Sequence, residues 1–282
     1  MRVVSWNLAF RAGVVSEGQG GLLRRLNPDL ALLQEVNPGS ADRLRRAAEL
    51  DWLVLAVDLR LPAADDRPVR RRGVAIAGRG QPPASSWLPT GVLPPERTLL
   101  AELHVGGLPV TVISYHAPPG VTWGLVKPRQ AVALASWLAT QQGPALLGAD
   151  ANTPLIDAAD FARTRTHWHT GNRHLNGEPG DDLLFGPGRV HPLDDALRRW
   201  LADHPDHMSQ IPALGPLAVT HRTGRRKHSA GTARRFDSIW VTRHWEVQGI
   251  EHLYEEGIAA GSDHALVLAD LTVRPGSVGD LD

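Results

Sequence analysis

The sequence predicts a single layered α/β domain, and three observations lead to this prediction. Segments with strand character outnumber helical segments, most of the strands are apolar on both faces, and neither a linker nor a short repeat divides the 282 residues. Strands that are buried on both faces belong to a sheet covered by other layers on both sides. A chain of this length is also long enough to bury a sizeable core.

The N-terminal part alternates strands with short helices. Leu22, Leu23 and Leu26 fall on one face of a predicted helix, which Asn27 and Pro28 break. A second helix is predicted from Ser40 over SADRLRRAAEL. The predicted strands of this part are RVVSWNL, DLALLQEV, WLVLAV and GVAIAG.

The following segments predict a hairpin, a helix and a return to strands. The hairpin is RTLLAELHVGGLPVTVISYH, with its turn at Gly106-Gly107. The helix KPRQAVALASWLATQQG ends before Gly143-Pro144 and carries an apolar stripe. The remaining strands are ALLGADAN, FDSIWVT, WEVQGIEHL and HALVLADLTV.

Residues 155–234 form a long insert with weak patterning, in which only Pro192–His204 is clearly helical. An insert of this length is too long for an inert loop, so we expect it to shape the substrate site. The predicted organisation is one domain over residues 1–273, followed by a flexible tail over 274–282.

The composition excludes several classes of protein. Without cysteine, the chain has no disulfide, thiolate zinc site or cysteine nucleophile. A formal net charge of zero argues against extensive contacts with the phosphates of long DNA. No apolar leader or run of about 18 apolar residues is present, so no transmembrane segment is expected and a cytoplasmic location is the default.

Polar residues stand at the ends of six predicted strands. Charged groups beside an apolar core are costly unless they are paired or bind a metal. Because loops at one edge of a layered α/β protein form its ligand sites, we expect these residues to meet there. They are Asn7, Gln34-Glu35, His116, Asp150 with Asn152, Asp237, and Ser262-Asp263-His264.

The chemistry of this set suits hydrolysis of a phosphate ester. Glu35 and Asp263 are hard carboxylate ligands and Asn7 adds a carbonyl oxygen, a combination that fits Mg²⁺ or Mn²⁺. Asp150 is a candidate general base, which Asn152 would orient. Asp237 and His264 form a candidate carboxylate–imidazole pair, and His116 is a second imidazole. Together these groups would supply a metal, a base and cationic donors.

Six motifs, in this order, resemble those of the endonuclease/exonuclease/phosphatase superfamily. They are WN at 6–7, LLQEV at 32–36, SYHAPPG at 114–120, ADAN at 149–152, FDSIWV at 236–241 and SDHALV at 262–267. The resemblance implies a DNase-like, four-layer α/β/β/α sandwich of two mixed β-sheets with outer helices. It also implies a Mg²⁺-dependent phosphodiesterase or phosphatase.

The resemblance assigns a role to each matching residue. It implies Glu35 as the main metal ligand, with Asn7 nearby and Asp263 assisting. Asp150 would activate the attacking water with the help of Asn152. His264, oriented by Asp237, would stabilise charge on the phosphoryl oxygens, and His116 would contact the phosphate or the leaving group.

Three departures from the family pattern bear on the substrate. Ala149 stands where Gly usually precedes the Asp, which indicates a shifted turn. Ala9 stands where some repair-type members carry a second Asp, so a second metal is less supported. His116 and Ser238 stand where repair-type members often have Tyr, and both changes point away from an abasic-site endonuclease.

Loop residues give weaker indications. The basic stretch His221–Arg235 directly precedes Asp237, so its arginines are expected on the rim of the site, where some of them would contact substrate phosphate. Arg67–Arg72 is a second basic patch, and the histidines of His167–His174 are interpreted as an exposed loop rather than as a zinc site. Trp87, Trp123 and Trp168 are expected to pack, with base stacking as the alternative.

The leading functional prediction is a metal-dependent nuclease acting on DNA or RNA. The alternative is the same chemistry on a small or lipid-derived phosphate, such as sphingomyelin or an inositol phosphate. A catalytically silent binding module is a third hypothesis. A His-rich two-metal phosphatase is rejected, because its D-x-H motif would have to stand where SWN is found.

Overall fold

Two six-stranded mixed sheets stack face to face in the computed structural model, which describes residues 1–60, 72–119, 123–166, 180–224 and 231–274. The strands are β1 Arg2–Asn7, β2 Leu30–Val36, β3 Trp52–Leu55, β4 Gly73–Gly78, β5 Ser85–Trp87, β6 Thr98–Val105, β7 Leu108–His116, β8 Ala145–Asp150, β9 Asp194–Asp195, β10 His221–Thr223, β11 Thr232–Arg234, β12 Asp237–Val241, β13 Trp245–Leu253 and β14 Leu266–Val273. The first sheet has the order β13-β14-β1-β2-β4-β3 and the second β5-β6-β7-β8-β12-β9, while β10 and β11 form a separate hairpin.

Helices cover the outer faces of both sheets. They are α1 Val14–Leu26, α2 Ala41–Ala47, α3 Ala56–Leu59, α4 Val126–Ala139, α5 Gly180–Phe185, α6 Ala196–Ala202, α7 Pro205–Ser209 and α8 Tyr254–Ala259. The apolar faces of α1 and α2 pack on the first sheet, and α4 and α5 pack on the second. A third apolar cluster fills the space between the sheets. The predicted four-layer α/β/β/α sandwich is therefore confirmed.

The topology brings the strand ends to one edge of the sandwich. Strands β1 and β2 are parallel, as are β7 and β8, so each pair ends at the same side. Strands β12 and β14 run antiparallel to β8 and β1, so they begin where those strands end. As a result Asp237 pairs with Asp150 and His116 pairs with Asp150 across the second sheet.

Several short elements differ from the sequence prediction. The strand WLVLAV ends at Leu55 and continues as α3. The helix predicted over Pro192–His204 begins only at Ala196, because Asp194 and Asp195 pair with β12 as an edge strand. Tertiary contacts rather than local periodicity form such short elements. No helix of the described ranges is long and apolar enough to cross a membrane.

Candidate active site

Glu35 reaches the strand-end edge through a bulge in β2. The pairing of β2 with β4 shifts between Leu33 and Val36, and Glu35 adopts a positive φ of 48°. A bulge of this kind redirects a side chain that regular pleating would send elsewhere. Burial and the nearby negative charge of Asp150 raise the pKa of the Glu35 carboxyl. Such a carboxylate gains most from a bound cation, which would relieve both effects.

Asp150 is the centre of the hydrogen-bond network at this edge. Its Oδ2 accepts a 2.8 Å hydrogen bond from Nδ2 of Asn7, and its Oδ1 accepts a 3.1 Å bond from the backbone N–H of Asn152. Burial alone would raise the pKa of Asp150, but the charge of His264, the nearby His116 and these hydrogen bonds outweigh it and lower the pKa. The carboxylate is therefore ionised although it is buried.

Asp237 and His264 form a buried ion pair. Nδ1 of His264 donates to Oδ2 of Asp237 at 2.8 Å, and Nε2 lies 3.9 Å from Oδ2 of Asp150. Burial opposes the charge of His264, but Asp237 and Asp150 together raise its pKa to about 10. Burial raises the pKa of Asp237 to about 6, against the pull of His264. At neutral pH the pair consists of a carboxylate and an imidazolium.

His116 approaches the same oxygen of Asp150 as His264 does, but its ring is neutral. Its Nε2 lies 3.4 Å from Oδ2 of Asp150 and 3.9 Å from Oε1 of Glu35. Its Nδ1 lies 3.1 Å from Nη1 of Arg97. Burial and the charge of Arg97 lower the pKa of His116 to about 3. The ring is neutral at any physiological pH.

Three other predicted residues have distinct positions at this edge. The side-chain oxygen of Asn7 accepts from the N–H of Ala9 at 2.8 Å. The side chain of Asn152 donates to the carbonyl of Ala117, so only its backbone touches Asp150. Asp263 is exposed and its carboxylate lies near the rings of His264 and His221.

Sequence reasoning missed two residues at the site, Arg97 and His221. The ring of His221 stacks on His264 with centroids 4.4 Å apart, and its Nδ1 donates to the carbonyl of Asp263 at 3.0 Å. In the sequence, the one signal for His221 was its position at the start of the basic stretch. For Arg97 the signal was present, because a hairpin that turns at Gly106-Gly107 places residue 97 opposite residue 116.

The basic stretch His221–Arg235 divides into different environments. Arg235 points inward and is bound by Asp157 and Asp195, so the expectation of a rim position is wrong for this residue. The side chain of Arg234 donates to the carbonyl of Leu155, and Arg222 lies over the ring of Tyr254. Residues 225–230 lie outside the described ranges.

The remaining loop predictions have mixed outcomes. Trp87 packs against the core beneath the second sheet, and Trp123 lies under the guanidinium of Arg97, so both make packing contacts. Arg72 is the only member of the Arg67–Arg72 patch within the described ranges, and it lies over the ring of Phe10. The His167–His174 cluster with Trp168, and the tail beyond residue 274, lie outside them.

The donor atoms at this edge fit a hard divalent cation. Two groups of described residues place carboxylate and imidazole ligand atoms within 4.8 Å of one another: Asp150 with Asp237 and His264, and Asp263 with His221 and His264. Asp237 also has a buried Oδ1 that has no hydrogen-bond partner among the described residues. Glu35, whose charge is only partly compensated, adds a further carboxylate. Because His264 is an imidazolium hydrogen-bonded to Asp237, the ligand atoms left for a cation are oxygens, those of Glu35, Asp263 and Asn7, and such hard donors suit Mg²⁺ or Mn²⁺.

Solved structures of known proteins share this architecture. An AP endonuclease from Archaeoglobus fulgidus is 19% identical, with 97% of this chain and 100% of that chain covered and a TM-score of 0.65. TDP2 of D. rerio, solved with a single-strand DNA product, is 14% identical, with 97% and 99% covered and a TM-score of 0.63. The human Nocturnin catalytic domain, solved with a bound sulfate anion, is 15% identical, with 97% and 94% covered and a TM-score of 0.62. At these identities the likeness shows the fold.

The sequence itself matches one family model. No curated protein matches it, but the model described as the endonuclease/exonuclease/phosphatase family matches residues 4–264. That range contains all of the strand-end residues, from Asn7 to His264. This chain therefore belongs to the endonuclease/exonuclease/phosphatase family, a family of hydrolases that act on phosphate esters.

Proposed function

We propose that this protein is a Mg²⁺-dependent phosphodiesterase that acts on nucleic acid by direct attack of water. The observation that carries the proposal is the environment of Asp150. An ionised, buried carboxylate lies between an imidazolium, His264, and a neutral imidazole, His116. Phosphoryl transfer to water uses a positioned base for the attacking water and positive or N–H groups for the developing charge, and this edge supplies both.

In the proposed reaction, Asp150 accepts a proton from the water that attacks phosphorus. Asn7 and the backbone N–H of Asn152 fix the orientation of its carboxylate, so that one oxygen faces both histidines. The imidazolium of His264 stabilises negative charge on the phosphoryl oxygens, and Asp237 keeps this ring charged and oriented. His116 donates its Nε2–H to the phosphate or to the leaving oxygen.

Glu35 is the proposed principal ligand of Mg²⁺, with Asp263 and the oxygen of Asn7 as candidate further ligands. A bound Mg²⁺ would supply positive charge that polarises the phosphoryl group. The family match supports a divalent metal, and the hard oxygen ligands favour Mg²⁺ or Mn²⁺ over softer ions. The folded unit proposed to carry this site is the single domain of residues 1–273, with the 155–234 insert at its edge.

One observation favours the second candidate, the same chemistry on a small or lipid-derived phosphate. The net charge of zero provides little general attraction to long nucleic acid. The nucleic-acid version is supported by two half-buried arginines near the site: Arg72, whose charge acts on Glu35, and Arg222, which follows the ring of His221 that stacks on His264. Salt dependence separates the two candidates, because only a polyanion releases many counterions on binding.

The test compares supercoiled plasmid, single-stranded DNA, RNA and bis-(p-nitrophenyl) phosphate in Mg²⁺, Mn²⁺ or EDTA. We expect metal-dependent cleavage of nucleic acid, lowered roughly 10²–10⁴-fold by Glu35→Gln, Asp150→Asn or His264→Ala. Arg79→Met is the matched control, since Arg79 follows β4 at the opposite end of the first sheet, where its side chain donates to the carbonyl of Ala48. Cleavage of the small diester alone would move the substrate to small or lipid phosphates. No turnover with any substrate would overturn the proposal and favour a binding module.

A further inference from the structure

His116 has a hydrogen-bond partner that no part of the proposed reaction uses. Nη1 of Arg97 lies 3.1 Å from Nδ1 of His116, and both side chains are buried. The contact follows from the register of the β6–β7 hairpin: Thr98 pairs with Tyr115, so Arg97, the residue before β6, lies next to His116 at the end of β7. The start of β6 thus brings Arg97 to the ring that β7 and β8 place beside Asp150.

The chemistry of the guanidinium decides where the proton of His116 resides. A guanidinium has five N–H donors and no acceptor, and it stays protonated in proteins. A ring with a proton on Nδ1, whether neutral or cationic, would direct that proton against an N–H of Arg97. Only the tautomer with a bare Nδ1 and a proton on Nε2 accepts this hydrogen bond.

The proton on Nε2 points toward the reaction centre. Nε2 lies 3.4 Å from Oδ2 of Asp150 and 3.9 Å from Oε1 of Glu35, so its N–H is directed into the space that these carboxylates share. The geometry is that of a fixed donor to an anionic oxygen. Because Nε2 carries a proton, His116 has no lone pair facing the carboxylates and cannot take a proton from water there.

Arg97 is itself held in place on its other side. Its guanidinium lies over the ring of Trp123, with 4.9 Å between the guanidinium carbon and the ring centroid. Stacking on an indole orients a guanidinium plane as well as attracting its charge. The chain of contacts therefore runs from Trp123 through Arg97 and His116 to Asp150.

We propose that Arg97 is a positioning residue that holds His116 as the neutral tautomer with its proton on Nε2, so that His116 serves the site only as a hydrogen-bond donor. The catalytic part of this inference rests on the proposed function, whereas the tautomer itself does not. The two histidines then have separate tasks: His264 contributes charge, and His116 contributes a directed N–H without charge.

The first test is the tautomer, read from long-range ¹H–¹⁵N correlations of the histidine rings in the full ¹⁵N-labelled chain. We expect the wild type to show His116 with a bare Nδ1 and a protonated Nε2. We expect Arg97→Met to abolish that fixed pattern and Arg79→Met to leave it unchanged. A protonated Nδ1 in the wild-type ring, as a neutral tautomer or as imidazolium, would overturn the proposal. So would an unchanged pattern in Arg97→Met.

The second test is kinetic and uses the diester that the wild type cleaves best. For metal-bound histidines, loss of the outer partner that fixes the ring costs about 10–100-fold, and we use this range for His116. We expect Arg97→Met to lower kcat by this factor with little change in KM, and Arg97→Lys, which keeps a donor, to recover part of it. Trp123→Leu should lower kcat less than Arg97→Met does.

A double-mutant cycle separates positioning from a general loss of structure. If Arg97 acts through His116, Arg97→Met should cost little further activity in the His116→Gln background. If the kcat loss of the double variant equals the product of the two single losses, the proposal is contradicted. A kcat of Arg97→Met within twofold of the wild-type value would contradict it as well. If Arg97→Met does not fold, the wild-type tautomer and Arg97→Lys still decide the matter. A chain that hydrolyses no diester refutes the proposed function and leaves the tautomer test intact.

Discussion

Two histidines approach Asp150, one charged and one neutral, and the partner of each ring accounts for the difference. His264 faces the carboxylate of Asp237, which favours the imidazolium. His116 faces the guanidinium of Arg97, which excludes a second positive charge. Residue type alone does not determine such roles, because a histidine takes the charge that its buried neighbours allow.

Replacement of Asp237 by Asn tests this account at the residue scale. His264 remains buried but loses the anion that keeps it charged, so its pKa should fall from about 10 toward or below its usual 6.5. At neutral pH the ring then loses much of its charge, and kcat/KM should drop at least about 100-fold. Titration of the His264 ring by NMR, in metal-free protein, measures the shift directly. An imidazolium that persists above pH 8 in this variant would contradict the account.

The sequence predicted much of the site but not the direction of its contacts. Strand-end positions indicated Glu35, Asp150, Asp237 and His264 as candidates, because a charged group beside an apolar core is costly unless it is paired or binds a metal, and the structure brings these side chains together. Asn152 was predicted to orient Asp150, and it does contact that carboxylate. The contact is made by its backbone N–H and not by its side chain. Arg97 was overlooked because an arginine near the start of a strand is ordinary until its cross-strand partner is known.

At the scale of elements, long periodic segments were predictable and short ones were not. The hairpin β6–β7, the helix α4 and the C-terminal strands were each indicated by local pattern. The two-residue strand β9, the hairpin β10–β11 and the bulge at Glu35 exist because of their partners in the fold. These are also the elements at the site and in the insert, where tertiary contacts override local preference.

Helix α1 offers a matched pair of glycines for testing how it packs. A Cβ on Gly20 would meet Cβ of Ala47 at 2.6 Å and the carbonyl of Leu44 at 2.8 Å, whereas a Cβ on Gly21 meets nothing within 4 Å. We expect Gly20→Ala to lower the free energy of unfolding by about 1–3 kcal/mol through overpacking against α2. Gly21→Ala should raise it by roughly 0.5–1 kcal/mol. Urea denaturation measures both, and equal effects would refute the close contact.

The insert is attached to β12 by a buried ion network around Asp157. Its carboxylate accepts from Arg235 and Arg198 at 2.7 Å each and from the backbone N–H of Leu217 at 3.1 Å. Burial opposes the charge, but the two guanidinium groups outweigh it and lower the pKa of Asp157. Because Arg235 lies two residues before Asp237, the network fixes the position of the insert close to the candidate site.

We expect Asp157→Asn to lower the free energy of unfolding by about 3–5 kcal/mol at pH 7, because two buried cations then share Asp195 alone. A lowered pKa stabilises the fold above the ordinary value of about 3.8, and this contribution disappears as the pH falls through the folded pKa. The gap between wild type and variant should therefore persist from pH 7 to 5 and shrink below about 3.8. Denaturation at these pH values checks the prediction, with exposed Asp42→Asn as the control.

At the scale of the molecule, the site depends on how closely the two sheets approach. Asn7 and Glu35 belong to the first sheet, whereas His116, Asp150 and Asp237 belong to the second. Beneath the site, Gln34 of the first sheet lies within hydrogen-bonding distance of Ser114 and of the carbonyl of Gly148 in the second. The distance between Glu35 and Asp150 is thus set by the packing between the layers.

Gly148 is the position at which that packing can be tested. A Cβ there would meet Leu32 at 2.7 Å and Oγ of Ser5 at 2.9 Å, both in the opposite sheet. We expect Gly148→Ala to lower the free energy of unfolding by about 1–3 kcal/mol and to reduce activity as well, because it separates the two halves of the site. Gly249→Ala on β13 is the control, because a Cβ there meets no described atom within 4 Å. It should lower neither the free energy of unfolding nor the activity. Thermal denaturation and the diesterase assay decide the outcome.

The division of the site between the two sheets affects how the protein loses activity on heating. Because neither layer contains all of the proposed catalytic groups, we expect no activity from a partly unfolded species in which the layers have separated. We expect thermal inactivation and loss of structure to follow one cooperative transition, with the same midpoint by both probes. Amide hydrogen exchange should likewise show the strands around Asp150 opening only with the whole chain. For this protein, enzymatic activity would then serve as a direct measure of global folding.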